Sequence, residues 1–220
     1  MAIRIKICGI TTFQDAEAAV SSGAHALGFI LVRKSPRYVD PDRVRDIVRQ
    51  LPPFVQNVGV FVNEDPGRVG ELISHCGLDL VQFHGEESPS CCKRFETRAV
   101  KAFRVKGIDI LDEIRAYEGS VRAILLDSWS SGAHGGTGKS FDWNIARRVV
   151  EALDLPVILA GGLDVSTVSK AISLVRPFGV DVSSGVEKAP GIKDRELVKE
   201  FTKKVNQAAK GFINQKYLAE

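Results

Sequence analysis

Two residues able to exchange protons, a thiol and a carboxylate, each stand at the end of a short apolar run. Residues 3–8 have isoleucine at every second position and stop at Cys8, before a glycine and a helix-capping threonine. Residues 123–126 form a second apolar run, which ends at Asp127. We interpret both runs as strands of one sheet. A thiol and a carboxylate at the ends of such strands are a candidate base and acid.

Other polar and glycine residues follow further apolar runs of the chain. They are Arg37, Asn63, His84, the pair Gly161 and Gly162, and the triplet Ser183, Ser184 and Gly185. The two glycine-bearing turns predict a phosphate site, because glycine lets backbone N–H groups approach an anion closely. We therefore expect a small phosphorylated substrate to bind beside these turns.

His84 comes directly after the apolar run 80–83. It could be a catalytic imidazole, a substrate contact, or a group that holds its own loop by hydrogen bonding. We favour a substrate contact or loop support over catalysis.

The glycine-rich segment 132–140 ends in Gly138, Lys139 and Ser140, as a nucleotide-binding P-loop does. It has Ala133 where the P-loop needs a glycine, and it lies well beyond the preceding strand. We predict a flexible cover over the site instead, with His134 a loop residue and not a metal ligand.

The elements that must position these residues alternate along the chain. Eight apolar, β-rich runs predict strands at residues 3–8, 26–31, 57–62, 80–83, 99–103, 123–127, 157–160 and 180–183. Helical patterns lie between them, for example at residues 12–22, 42–50, 66–75, 143–153 and 166–175. The alternation predicts parallel βαβ units, whose strands all end on the same side of the sheet.

Eight such units favour a single α/β domain over residues 1–220, folded as a closed (β/α)8 barrel. The predicted strands are mostly apolar on both faces, as strands between helices and a barrel interior must be. A length of 220 residues lies at the compact end of the range for this barrel, about 200 to over 400. An open, doubly wound sheet is the alternative. In either fold, the chemistry lies at the carboxyl ends of the strands.

Composition argues against several classes of function. The net charge of +3 is spread without a basic block, so we expect no nucleic-acid partner. No apolar run reaches the ~20 residues of a membrane helix, and the N-terminus lacks a signal-peptide pattern. We therefore expect a cytoplasmic protein without a membrane partner. The four cysteines lack zinc-site spacing, so we predict neither a metal site nor disulfides.

Taken together, the motifs at the strand ends resemble those of the phosphoribosylanthranilate isomerase family of tryptophan biosynthesis. The resemblance runs from Lys6 to about Asp194. It is carried by the sequences KICGIT, LGFI, SPRYV, VGVFVN, VQFHG, LLDS, GGTGK, LAGGL and VDVSSGVE. The combination of these motifs is specific, and no position that we interpret as functional departs from it.

The resemblance implies a (β/α)8 barrel that carries out an Amadori rearrangement without a cofactor. N-(5-phosphoribosyl)anthranilate would become 1-(2-carboxyphenylamino)-1-deoxyribulose 5-phosphate. By the same likeness, Asp127 is the general acid that protonates the ribose ring oxygen, and Cys8 is the general base that removes the C2′ proton. Arg37 is the partner of the anthranilate carboxylate. The protein is expected to be a monomer or a homodimer.

These roles set two chemical conditions. A thiol with its usual pKa of about 8.5 is a weak base at neutral pH until it ionises. Lys6, on the same strand face, either stabilises the thiolate or pairs with an acid of a neighbouring strand. Asp127 must hold its proton near pH 7, which requires burial or a nearby negative charge.

Two other functions stay open at this point. Another sugar-phosphate isomerase or epimerase barrel would share the fold and the phosphate loops. Such enzymes characteristically use two carboxylates or a metal centre, and Cys8 stands where the first carboxylate would be. A non-catalytic barrel that binds a metabolite or a protein would not need an acid and a base on one rim.

Overall fold

The structure, a computed structural model, describes residues 3–105, 109–128 and 142–217, with side chains as far as residue 211. Eight parallel strands pair in chain order, and the eighth pairs with the first, which closes a barrel. The strands are β1 Arg4–Cys8, β2 Ala26–Ile30, β3 Gln56–Phe61, β4 Leu80–Phe83, β5 Ala99–Val105, β6 Ala123–Ser128, β7 Val157–Leu159 and β8 Gly179–Val182. The predicted (β/α)8 barrel is confirmed.

Helices follow the strands along the chain. They are α1 Phe13–Ser21, α2 Pro41–Val48, α3 Pro66–Cys76, α4 Pro89–Lys93, α5 Ile110–Arg115, α6 Trp143–Ala152, α7 Val168–Val175 and α8 Arg195–Tyr217. Helices α2, α3 and α4 begin with proline after a capping side chain, from Asp40, Asp65 and Ser88 respectively. None of the described helices is both long and apolar enough to cross a membrane.

The alternation of side chains along each strand separates an outer core from an inner one. Ile5 and Ile7 of β1 belong to the large cluster that packs against the helices. A smaller cluster includes Ala123 and Leu125 of β6. Successive residues of a strand point to opposite faces. Cys8 therefore faces the barrel interior, and so does Asp127, two residues beyond Leu125.

The barrel closes where β1 meets β8, and an ion pair lies inside this junction. Lys6 and Asp181 are register partners on the two strands. The Nζ atom of Lys6 lies 3.0 Å from both carboxylate oxygens of Asp181. Both residues are buried. The geometry of Lys6 therefore fits the second of its two predicted roles, which is pairing with an acid of a neighbouring strand.

A small antiparallel hairpin after β8 was not predicted from the sequence. A 3-10 helix at Ser184–Val186 leads into β9 Glu187–Ala189, which pairs with β10 Ile192–Lys193. The hydroxyl of Thr11, just beyond β1, donates a 2.6 Å hydrogen bond to the carbonyl of Gly191 in the turn. The hairpin therefore lies against the carboxyl end of β1, next to Cys8.

Candidate active site

A cavity of about 400 Å³ opens at the carboxyl ends of the strands. Of the residues predicted for the site, it is lined by Cys8, Arg37, His84, Asp127, Gly161, Gly162, Ser183 and Ser184. Gly185 lies just behind the lining, where a Cβ atom would collide with the carbonyl oxygen of Leu163. The barrel thus brings together residues that are up to about 180 positions apart in the chain.

Cys8 is buried at the end of β1, and its side chain occupies space left by a glycine. Gly28 is its register partner on β2. A Cβ atom on Gly28 would lie only 2.6 Å from Cys8 Sγ and 3.0 Å from its Cα. A larger residue at position 28 would therefore displace the thiol.

The electrostatic environment of Cys8 favours the protonated thiol. Burial raises the pKa of Cys8 above its usual value, and Asp181 raises it further, although Lys6 and Lys193 act to lower it. Lys6 thus favours the thiolate, as one interpretation of the sequence expected, but burial outweighs its effect. Only the ionised form, the thiolate, is a strong base, and burial makes its formation unfavourable. Any reaction that depends on Cys8 as a base should therefore become faster at alkaline pH.

Asp127 lies at the carboxyl end of β6 and is held by two neighbours. Its side chain is 18% exposed. The backbone N–H of Ser128 donates a 2.7 Å hydrogen bond to Oδ1, and His84 Nε2 lies 3.1 Å from Oδ2. The side-chain amide nitrogen of Gln82 lies 2.8 Å from His84 Nδ1. With this amide as donor, the imidazole carries its proton on Nε2 and donates it to Asp127.

Arg37 lies beyond β2, and its guanidinium reaches the cavity while paired with a carboxylate. Its Nη2 is 2.8 Å from Glu187 Oε2, and its Nε is 3.0 Å from each carboxylate oxygen. Sequence reasoning missed Glu187 as a site residue, although it ends the VDVSSGVE motif. The partner lies 150 positions away, so no local pattern could have shown the pair.

The predicted phosphate turns are built on close backbone approaches. Gly161 and Gly162 have φ angles of +77° and +67°, which glycine adopts without strain. A Cβ atom on Gly161 would collide with the backbone nitrogen of Ser128 and lie 2.8 Å from Asp127 Oδ1. In the described part of the chain, the N–H groups of Gly162 and Ser184 have no protein acceptor. Both N–H groups are available to an anion.

Two further cavity residues were not singled out in the sequence. Asp181 is 8% exposed and lines the cavity from β8, paired with Lys6. Arg104 lines it from β5 and is the register partner of Asp127. Each stands at or near the end of a predicted strand, on the inward face. Assigning that face to every strand would have found both.

Within the described residues, no group of three or more histidine, cysteine, aspartate or glutamate side chains is arranged to hold a metal ion. The segment 132–140, including His134, lies outside the described residues, so its predicted role as a cover stays a prediction.

A closed (β/α)8 barrel that gathers a thiol, a carboxylate and two glycine turns in one cavity has the features of a barrel isomerase of phosphorylated sugars. The family is shown by comparison with known proteins. The chain belongs to the N-(5'-phosphoribosyl)anthranilate (PRA) isomerase family, whose model matches residues 5–204. The resemblance seen in the motifs is confirmed.

Relatives at about half identity cover nearly the whole chain. The N-(5'-phosphoribosyl)anthranilate isomerase of Geobacter sulfurreducens is 50% identical over 202 residues, which are 92% of this chain and 98% of the relative. That of Trichlorobacter lovleyi is 49% identical over 206 residues, which are 94% and 99% of the two chains.

Solved structures of the family share the fold. Phosphoribosyl anthranilate isomerase from Thermotoga maritima superposes with a TM-score of 0.86 at 42% identity, covering 93% of this chain and 99% of that one. A second structure is described as the isomerase in complex with reduced 1-(o-carboxyphenylamino)-1-deoxyribulose 5-phosphate. It has a TM-score of 0.83 at 40% identity, with the same coverage.

Proposed function

We propose that Cys8 and Asp127 are the base and the acid of the family's isomerisation in this chain. The chain is an aldose–ketose isomerase of tryptophan biosynthesis that converts N-(5-phosphoribosyl)anthranilate by an Amadori rearrangement. The observation that carries the assignment is the position of Cys8 and Asp127 on one cavity, beside the Gly161 and Ser184 loops.

In the first step, the Asp127 carboxyl group gives its proton to the ribose ring oxygen. The bond between this oxygen and C1′ breaks, and the anthranilate nitrogen supplies the electron pair that forms a Schiff base. The Nε2–H group of His84, 3.1 Å from Oδ2, and the backbone N–H of Ser128 then donate hydrogen bonds to the carboxylate that this step leaves, and both hold the group in position. Restricting the carboxyl group in this way favours proton transfer, because the acid must stay within hydrogen-bond reach of the oxygen.

In the second step, the Cys8 thiolate removes the proton from C2′. The electron pair of the broken C–H bond forms the C1′=C2′ double bond, and the π pair of the protonated Schiff base moves to its nitrogen. The enolamine that results tautomerises to the ketone as its C2′ hydroxyl loses a proton and C1′ gains one. Because burial raises the pKa of Cys8, the reactive thiolate is a minor form at neutral pH. The step therefore becomes faster as the pH rises towards the pKa of Cys8.

The two ends of the substrate carry negative charges that the site can bind. The phosphate is assigned to the backbone N–H groups of the loops after β7 and β8, around Gly162 and Ser184. The anthranilate carboxylate is assigned to Arg37, whose guanidinium suits a planar anion. Gly161, Ser183 and Gly185 shape the phosphate loops.

We further propose that residues 1–220 form one catalytic domain, which acts in the cytoplasm without a cofactor as a monomer or a homodimer. A Thermotoga maritima relative is described as dimeric, and a solved structure shows monomers generated from it. Sedimentation velocity on the purified protein would separate a species of 24.0 kDa from one of twice that mass.

The function is tested with the substrate generated in situ from anthranilate and phosphoribosyl pyrophosphate. We expect the purified protein to abolish the fluorescence of the anthranilate adduct at a rate proportional to enzyme concentration, without added metal or cofactor. A mock preparation from cells lacking the gene serves as the control. If the protein gives no rate above that control, the proposed function is wrong.

A further inference from the structure

The hairpin β9–β10 carries two buried charged groups that neither give nor take the protons of the acid and base steps. Glu187 and Lys193 are paired across the hairpin. Lys193 Nζ lies 2.8 Å from Glu187 Oε1, and the two side chains are 0% and 4% exposed. Burying an ion pair removes both charges from water, at a cost that their attraction often fails to offset. Its position at the rim of the site therefore suggests a role beyond joining two short strands.

Glu187 also binds Arg37 along one edge of the guanidinium. This edge comprises Nε and one hydrogen of Nη2, both directed at the carboxylate. Planar pairing of this kind fixes the orientation of the guanidinium as well as its place. Nη1 and the second hydrogen of Nη2 stay free of Glu187. A substrate carboxylate can therefore be bound only at the tip of Arg37.

Lys193 joins the ends of two barrel strands to the hairpin. Its ammonium group donates to the carbonyl oxygen of Cys8, to that of Ser183 at 3.3 Å, and to Glu187 at 2.8 Å. An ammonium group has three hydrogens, so all of them are used within the protein. Lys193 is thus not a substrate ligand. It fixes the peptide that carries the base relative to the loop that follows β8.

These groups converge on Gly9, the residue after Cys8. A Cβ atom on Gly9 would lie 2.9 Å from Arg37 Cδ, 3.0 Å from Ser183 Oγ and 3.5 Å from Lys193 Nζ. Gly9 also has a φ angle of +76°, which favours glycine. The cluster is therefore packed without spare space directly behind the base.

We propose that Glu187 and Lys193 are positioning residues of the isomerase site: Glu187 presents the tip of Arg37 to the substrate carboxylate, and Lys193 holds the Cys8 segment against the loop after β8. The inference rests on the proposed roles of Cys8 and Arg37. Glu187 and Lys193 act through the residues that they hold, without touching the substrate.

Glu187 is suited to this role because it stays ionised. Its burial acts to raise its pKa, but the hydrogen bonds from Arg37 and the charge of Lys193 outweigh burial and hold the pKa of Glu187 below its usual value. Burial lowers the pKa of Lys193, and the Glu187 carboxylate opposes this effect.

Lys193 also belongs to the charges that surround the base. Lys6 on the same strand and Asp181 on β8 face Cys8, as Lys193 does from β10. Arg37 and Asp127 line the same cavity, and Gly28 of β2 lies next to the thiol. Removing the charge of Lys193 takes away one of the two lysines that favour the thiolate.

The proposed role of Glu187 is tested by steady-state kinetics of Glu187→Gln, a substitution that keeps the shape of the side chain and removes its charge. We expect KM to rise about tenfold, the loss of one charge-assisted hydrogen bond, with kcat changed much less. Lys188→Met is the matched control, since Lys188 lies on the same strand with its side chain 64% exposed. If Glu187 acted only as a negative charge near an anionic substrate, KM would fall, and the inference would be overturned.

The Lys193 arm is tested by the pH dependence of iodoacetamide labelling at Cys8, followed by mass spectrometry of the peptide that contains it. We expect Lys193→Met to shift the labelling midpoint to higher pH and to lower kcat. Lys188→Met, which removes an exposed charge from the same hairpin, should label as the wild type does. An unchanged midpoint in a folded Lys193→Met protein would refute the proposed role of Lys193, and circular dichroism establishes the folding.

Labelling does not require turnover, so its result is independent of the isomerase assay. Wild-type turnover together with unchanged variant kinetics would remove only this inference.

Discussion

At the residue scale, the site depends on space as much as on charge. Gly28 makes room for the thiol, and Gly161 lets the loop after β7 approach the carboxylate of Asp127, the proposed acid. Burial in this small space raises the pKa of Cys8, although two lysines oppose it. The thiol is therefore held in a fixed place, and burial disfavours its ionisation. A small displacement of Sγ should then lower the rate of proton removal.

Gly28→Ala tests this dependence on space. The added Cβ would lie 2.6 Å from Cys8 Sγ, so the thiol must move away from its present position. We expect kcat to fall by about 10²-fold, the cost of a displacement near 1 Å, and stability to fall by about 1–3 kcal/mol from overpacking. Steady-state kinetics and urea denaturation measure the two effects.

Gly70→Ala is the matched control for this variant, because a Cβ atom at Gly70 in α3 meets nothing within 4 Å. That variant should keep full activity and gain slightly in stability, as alanine favours a helix. Full activity in Gly28→Ala would show that the thiol position is not critical.

Asp127→Asn tests the acid at the same scale. The amide keeps the shape of the side chain but cannot donate the proton that opens the ring. We expect kcat to fall by about 10² to 10⁴-fold with little change in KM, because the loss occurs in the transition state. Near wild-type kcat in a fluorescence assay would show that another group supplies the proton.

Single residues were predictable from the sequence where their signal was local. Cys8 and Asp127 each end an apolar run, and the glycines mark turns. Glu187 and Lys193 were missed because the role of each depends on a distant partner. Glu187 pairs with Arg37 and Lys193 with the Cys8 carbonyl, both more than 100 positions away. A single sequence contains no information on such pairs beyond the identity of the residues.

At the element scale, the loops after β7 and β8 fit together through glycine. A Cβ atom on Gly185 would collide with the carbonyl oxygen of Leu163, in the neighbouring loop. The reason for glycine at position 185 is therefore the contact between loops, as well as access for an anion. The sequence alone suggested only the second reason.

Gly185→Ala should separate the two loops and disturb the phosphate site. We expect KM to rise and inorganic phosphate to become a weaker competitive inhibitor, while kcat changes less. Gly70→Ala again serves as the control, since a Cβ atom at that position meets nothing within 4 Å. Unchanged phosphate inhibition in Gly185→Ala would place the phosphate elsewhere.

The strands and main helices were predictable because their hydrophobic patterns extend over enough residues to show a periodicity. Strands buried on both faces give continuous apolar runs, and Pro after Asp marks the start of α2 and α3. The hairpin β9–β10 was missed because strands of three and two residues show no periodicity. It is ordered by its contacts with the barrel rim, which only the folded chain supplies.

At the scale of the whole molecule, the barrel closes over the buried pair of Lys6 and Asp181. Lys6→Met would leave the Asp181 carboxylate buried without its partner. We expect a loss of about 3–5 kcal/mol in the free energy of unfolding, measured by urea denaturation. Lys204→Met removes an exposed pair on α8 and should change stability by less than about 1 kcal/mol. Equal, small losses in both variants would show that the closure does not depend on the ion pair.

The closed barrel itself followed from counting eight strands and helices. Closure fixes which strand ends are neighbours, and this decides the site: β1 and β8 meet only because the barrel closes. The sequence could therefore predict the rim on which the site lies, but not that Cys8 would be enclosed by charges from β8 and β10.

The central claim, that Cys8 is the base, is tested most directly by kcat/KM against pH for the wild type, Cys8→Ala and Cys8→Asp. Since the pKa of Cys8 is raised, wild-type activity should increase with pH through a midpoint above the usual thiol value of about 8.5. Cys8→Ala should lose about 10² to 10⁴-fold. Cys8→Asp should fall between the two, with its acidic limb at lower pH, because a carboxylate ionises there and can still remove the C2′ proton. A Cys8→Asp variant no better than Cys8→Ala, or an acidic limb that does not move, would contradict the account.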